Sequence, residues 1–119
     1  AGNRGTQFVL AIDYGGRDEI ARAARSICED VRAARIEPGE INEQTIAGRL
    51  DTSGLPDVDL MIRTGGEMRV SNFLLWQLRY AELWVTETCW PDFSRKEFES
   101  ALENFVSRDR RFGGLSVGR

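Results

Sequence analysis

The run Asp59-Leu60-Met61-Ile62-Arg63-Thr64-Gly65-Gly66-Glu67-Met68-Arg69-Val70-Ser71-Asn72-Phe73-Leu74-Leu75-Trp76 joins a short apolar strand, a glycine loop bearing two arginines, and a helix start. A strand over Val58–Ile62 delivers Arg63 to the carboxyl edge of a sheet. Gly65 and Gly66 allow the tight turn that follows, Arg69 returns a second guanidinium, and Ser71 reads as the N-cap of a helix over Asn72–Arg79. Open N–H groups and the positive end of such a helix favour an anion by about 0.3–1 kcal/mol when exposed. Two guanidiniums add bidentate, charge-assisted hydrogen bonds. The segment therefore reads as a diphosphate cradle, or else as a solvated rim on which the arginines pair with Glu67, Asp57 or Asp59.

On either side, strand and helix signals alternate, the pattern of an α/β fold with a parallel sheet flanked by helices. Gln7–Ile12 is apolar and rich in strand formers, and it ends at Asp13-Tyr14-Gly15-Gly16. From Arg17 to about Ala34, Ile20, Ala24, Ile27 and Val31 recur at helical spacing, and Pro38-Gly39 ends that segment. Asn42 caps a shorter helix reaching Leu50, and Thr52-Ser53-Gly54-Leu55-Pro56 is turn chemistry. Leu83–Thr86 has strand character. Beyond Trp90-Pro91-Asp92-Phe93, Ser94 and Glu97 form a capping box for a last helix with Phe98, Leu102 and Phe105 on one face.

Composition narrows the chemistry. The 119 residues suffice for one small domain. A net charge of −3 argues against a broad nucleic-acid surface and leaves only local basic clusters. There is no histidine, so Ser-His-Asp and Cys-His catalysis are excluded and proton transfer within the chain must use carboxylates or solvent. Cys28 and Cys89 lie far apart without a Cys-x-x-Cys, so neither a zinc site nor a disulfide framework is indicated. Without an eighteen-residue apolar run, the expectation is a cytoplasmic protein, at most peripheral to a membrane.

Block after block also resembles the cis-prenyltransferases, the undecaprenyl (polyprenyl) diphosphate synthase family. The matching text is Ala1-Gly2-Asn3, Tyr14-Gly15-Gly16-Arg17, Leu55-Pro56-Asp57, Ile62-Arg63-Thr64-Gly65-Gly66-Glu67, Ser71-Asn72-Phe73-Leu74-Leu75-Trp76-Gln77, Tyr80-Ala81-Glu82-Leu83, Trp90-Pro91-Asp92-Phe93 and Arg110-Arg111-Phe112-Gly113-Gly114. In that family Ala1-Gly2-Asn3 corresponds to the middle of a single domain. The resemblance therefore implies that residues 1–119 are the carboxyl-terminal half of a parallel α/β domain. The half bearing the Asp-Gly-Asn-x-Arg loop and the catalytic aspartate is absent from this sequence, so no catalytic residue is expected here.

The implied activity is Mg²⁺-dependent condensation of isopentenyl diphosphate with an allylic diphosphate, such as farnesyl diphosphate, to give a Z-polyprenyl diphosphate. By the same resemblance Arg63, Arg69 and Ser71 bind the diphosphate of isopentenyl diphosphate. Glu67 lies among the substrate-binding residues, there to orient the arginines, and Glu82 is the Mg²⁺ ligand, or else a structural partner for an arginine. Arg111 belongs to an Arg-x-Gly tail that in the family's dimers reaches the neighbouring subunit's substrate, which makes a homodimer the expected assembly. Phe73, Leu74, Trp76, Leu78 and Trp84 are expected in the core or the dimer interface rather than as a chain-length ruler. The alternative is a non-catalytic partner subunit of a heteromeric cis-prenyltransferase, and retention of Arg-Thr-Gly-Gly-Glu-x-Arg-x-Ser favours the enzyme.

Overall fold

The computed structural model describes residues 5–108, and the chain divides into two compact units between Asp51 and Thr52. The first unit carries helices α1 (Gly16–Arg32) and α2 (Glu43–Ala47), with a 3₁₀ turn at Pro38–Glu40. The second carries strands β1 (Leu60–Arg63) and β2 (Glu82–Val85), a 3₁₀ turn at Trp90–Asp92, and helix α3 (Arg95–Ser107).

Helix α1 forms where its periodicity predicts, yet the stripe it buries is turned relative to the expected one. Glu19, Ala23, Ile27 and Asp30 are the buried side chains. Of the expected set only Ile27 is fully buried, with Ile20 and Val31 half-buried and Ala24 exposed. The physical reason is hydrogen bonding, which lets a carboxylate enter a packed face that a count of apolar residues assigns elsewhere. Glu19 accepts from the Tyr14 hydroxyl and, at 2.8 Å, from the Asp51 N–H. Asp30 accepts from Arg35 at 2.6 Å and from Arg49.

The segment 49–51 is thereby fastened to α1 at both ends. Leu50 is buried between the two attachments, and Arg22 grips Asp51 with bonds of 3.0 and 2.7 Å while its Nε reaches Asp18 at 2.9 Å. Asn42 caps α2 by accepting from the Thr45 N–H at 3.1 Å, as the sequence predicts.

The two arginines hold the Asp30 carboxyl below its ordinary value of 3.8, Arg35 first and Arg49 second. A carboxylate lowered in the folded state contributes stability that is complete above the unfolded value and fades as pH falls through the folded one. Asp30→Asn should therefore flatten the stability curve on its acid side. In urea titrations the wild type should lose more than the variant below pH ~4, and parallel curves would show that the two ion pairs contribute nothing there.

In the second unit β1 and β2 pair in parallel, in the register Leu60 with Glu82 through Arg63 with Val85. Parallel strands need a long crossover, usually a helix. Here the crossover is made of turns, and the helix expected over Asn72–Arg79 is absent. Ser71, Asn72 and Leu74 all have φ between 46 and 63°, and a right-handed helix cannot run through left-handed residues.

A third strand was expected at Gln7–Ile12, but those residues form no ladder among the described residues. Phe8, Val9, Leu10 and Ile12 are exposed instead. Strand-forming composition gives a strand only where a neighbouring backbone accepts the pairing.

Helix α3 begins at the expected capping box, with the Glu97 N–H bonded to Ser94 Oγ at 3.3 Å and the Ser94 N–H to Glu97 Oε2 at 3.1 Å. Its fully buried residue is Ala101. Phe98 and Leu102 of the expected apolar face are partly exposed and Phe105 is half-buried. Trp84 on β2 meets Phe93 edge-on at 6.3 Å, and Phe93 stacks on Trp90 at 6.0 Å. No helix of the described residues is long and apolar enough to cross a membrane.

Candidate functional site

Ligands of parallel α/β folds sit beyond the carboxyl ends of the strands, and Arg63 is the last residue of β1. Its Nη2 donates to Glu67 Oε2 at 2.8 Å, and Arg69 Nη2 donates to Glu67 Oε1 at 3.0 Å. One carboxylate thus bridges two guanidiniums, and the cluster keeps a net positive charge. Each guanidinium offers five N–H donors in a fixed fork, so capacity remains for an anion with several oxygens. The Arg63 side chain is 22% exposed against 68% for Arg69, which makes Arg63 the more enclosed member of the pair.

The loop between them turns on Gly65 and Gly66, at φ 85° and 76°. A side chain is strained at such angles, and glycine is not. Their amides are already committed, with Gly65 N–H donating to the Thr88 carbonyl at 3.0 Å and Gly66 N–H to the Thr86 carbonyl at 2.9 Å. The cradle therefore differs from the expected one: with no helix behind Ser71 there is no helix-end dipole, and anion recognition falls to side-chain guanidiniums. Ser71 is exposed and, among the described residues, is not hydrogen-bonded to either arginine. Its left-handed backbone removes it from an N-cap role.

Glu82 lies at the other end of the ladder, opposite Leu60. Three residues of strand, roughly 10 Å, separate that register from the one of Arg63. Its carboxylate accepts from Arg108 Nη1 at 3.0 Å, and the same nitrogen donates to the Leu83 carbonyl at 3.3 Å. Glu82 thus has the arginine partner that was the alternative to a metal role, and the motif did not say which arginine because Arg108 is remote in sequence. Among the described residues no three His, Cys, Asp or Glu side chains cluster as a metal site. Arg111 lies outside the described residues.

Behind the arginine a cavity of about 460 Å³ is lined by Val58, the β1 residues, Thr64, Phe73, Leu74 and Leu78. Phe73, Leu74 and Leu78, expected in a core or an interface, contribute to this wall. An open pocket of mixed lining, with apolar side chains beside a guanidinium and a threonine, suits a small amphiphile with an anionic head.

Residues 1–113 match the family model described as "Putative undecaprenyl diphosphate synthase". The chain is 57% identical over 116 residues to an isoprenyl transferase of Rhodopirellula baltica, a match that covers 98% of this chain and 48% of that protein. It is 50% identical over 117 residues to a ditrans,polycis-undecaprenyl-diphosphate synthase ((2E,6E)-farnesyl-diphosphate specific) of Xanthomonas axonopodis pv. citri, covering 98% and 46%.

Among solved structures it resembles lavandulyl diphosphate synthase from Lavandula x intermedia in complex with dimethylallyl diphosphate. That match has a TM-score of 0.90 at 42% identity and covers 93% of this chain and 48% of that one. A probable undecaprenyl diphosphate synthase from Campylobacter jejuni matches with a TM-score of 0.71 at 45% identity, covering 87% and 46%. The chain spans about half the length of the relatives it matches.

Proposed function

The chain belongs to the undecaprenyl diphosphate synthase family of prenyltransferases, and from that membership we propose that it supplies the isopentenyl-diphosphate-binding half of a cis-prenyltransferase. The observation that carries the proposal is the Glu67 carboxylate held between Arg63 and Arg69 at the carboxyl end of β1. It fixes two guanidiniums on one side of a glycine turn. A diphosphate can then exchange for part of the Glu67 contact while both forks stay close to the binding geometry, which lowers the ordering cost of binding.

The reaction proposed for the whole enzyme condenses isopentenyl diphosphate with an allylic diphosphate. A carbon–carbon bond forms at the allylic carbon as its bond to the diphosphate oxygen breaks, and a proton leaves the isopentenyl unit. Within this chain Arg63 and Arg69 neutralise and orient the isopentenyl diphosphate, and Ser71 adds a hydroxyl once its turn closes on the ligand. The wall of Phe73, Leu74 and Leu78 excludes water from the hydrocarbon end.

Mg²⁺ would supply Lewis-acid neutralisation of diphosphate charge. Glu82 fits as one hard oxygen donor, since Mg²⁺ is often held by one or two carboxylates with water and substrate phosphates completing its shell. The catalytic aspartate belongs to the half not represented here. A homodimer, with Arg111 reaching a neighbour's substrate, remains part of the proposal.

Calorimetric titration with isopentenyl diphosphate, ATP and NAD tests the reading. Saturable binding of isopentenyl diphosphate, tighter than either nucleotide, is the expected result, and equal or preferential nucleotide binding would reject it. The same chain mixed with both prenyl diphosphates and Mg²⁺ should form no product. Turnover would mean that the catalytic groups lie within these residues.

A further inference from the structure

We infer that Glu97 is a positioning residue for the arginine loop, acting through Thr86 and Thr88 on the backbone of Gly65 and Gly66. The inference rests on the diphosphate reading of that loop. A capping box needs one oxygen of its glutamate for the N-cap amide, and Glu97 Oε2 meets that need at Ser94. The other oxygen is turned away from the helix. Oε1 accepts from the Thr88 hydroxyl and lies 3.3 Å from the Thr86 hydroxyl.

The Thr88 N–H donates to Thr86 Oγ1 at 3.3 Å, which closes the 86–88 turn on itself. The carbonyls of those same two threonines receive the Gly66 and Gly65 amides, at 2.9 and 3.0 Å. Glu67, which follows directly, bridges Arg63 and Arg69.

A path of hydrogen bonds, carried through Thr86 and Thr88 and along the backbone from Gly65 to Glu67, therefore runs from the first turn of α3 to both guanidiniums. Donors crowded around the Glu97 carboxyl, the Thr88 hydroxyl foremost, hold it below the usual carboxylate range, so it stays a charged acceptor. A hydrogen bond to a charged acceptor is stronger than one between neutral groups. Without it the 86–88 turn keeps its fold but loses its fixed distance to α3, and the glycine loop inherits that slack.

The test measures dissociation constants for inorganic diphosphate on the full chain, amide exchange at Gly65 and Gly66, and melting temperature. Thr88→Val and Glu97→Gln should each weaken diphosphate binding about three- to tenfold, the scale of one hydrogen bond to a charged group spread over a loop, and should speed exchange at both glycines. Thr88→Ser, which keeps the hydroxyl, should restore both. Ser94→Ala removes the helix cap and a long hydroxyl contact to Glu97 Oε2 but leaves Oε1 with its two threonines, so it should lower the melting temperature with little change in affinity.

If Thr88→Val and Glu97→Gln bind like wild type while Arg63→Ala does not, the positioning role is wrong and the diphosphate site stands. Equal loss in Ser94→Ala would reduce Glu97 to a helix cap. Wild-type binding by both Arg63→Ala and Arg69→Ala would overturn the diphosphate reading and this inference together.

Discussion

Alanine at Arg63 should weaken binding of the proposed ligand, isopentenyl diphosphate, by about 2–5 kcal/mol, the range seen when one partner of a buried charge pair is truncated. Three features set that size. Arg63 is the less exposed of the two arginines, its backbone is fixed in the β1 ladder, and its removal leaves Glu67 neutralised by Arg69 alone. Arg69→Ala should cost less, because a side chain so exposed works against bulk water. Arg63→Lys should recover little, since an ammonium keeps the charge but lacks the planar fork. Calorimetry on the three variants gives this order directly, and unchanged affinity in both alanine variants would end the assignment.

Glu19→Ala should destabilise the first unit by about 1–3 kcal/mol for each donor left without an acceptor. The Glu19 side chain is fully buried, and it serves the Tyr14 hydroxyl and the Asp51 N–H together. Tyr14→Phe removes one donor along with its need, so it should cost less. Glu19→Gln keeps the volume and one acceptor and should fall between them. Urea midpoints followed by circular dichroism decide the ranking. An unshifted midpoint in Glu19→Ala would show that the Tyr14 turn, α1 and Asp51 are joined by other means.

The parts of this architecture that are local in sequence were legible before any coordinates. The Asn42 and Ser94 caps involve groups three residues apart, and the strand–glycine–arginine text around Arg63 reads itself out over a few peptide units. What depends on distant partners was not legible. Burial of Glu19 and Asp30 requires Asp51, Arg35 and Arg49 to come to them.

Ser71 reads as the cap of a helix over Asn72–Arg79, and the left-handed residues Ser71, Asn72 and Leu74 override that reading. Gln7–Ile12 has strand composition but no ladder among the described residues. In the site, the clustering of Arg63, Glu67 and Arg69 could be anticipated from spacing. The Arg108 partner of Glu82 and the threonine carbonyls holding the glycines could not, because no local pattern announces a contact made across a crossover.

That crossover also has a kinetic meaning. Every hydrogen bond between β1 and β2 must wait until the whole intervening loop has closed, so loop-closure entropy is spent before any of the ladder repays it. The arginine turn lies inside that loop and acquires its shape only after the strands meet. Competence to bind should therefore appear late in refolding. A ligand selective for the finished turn would then slow its reopening and raise the apparent stability of the ladder by mass action.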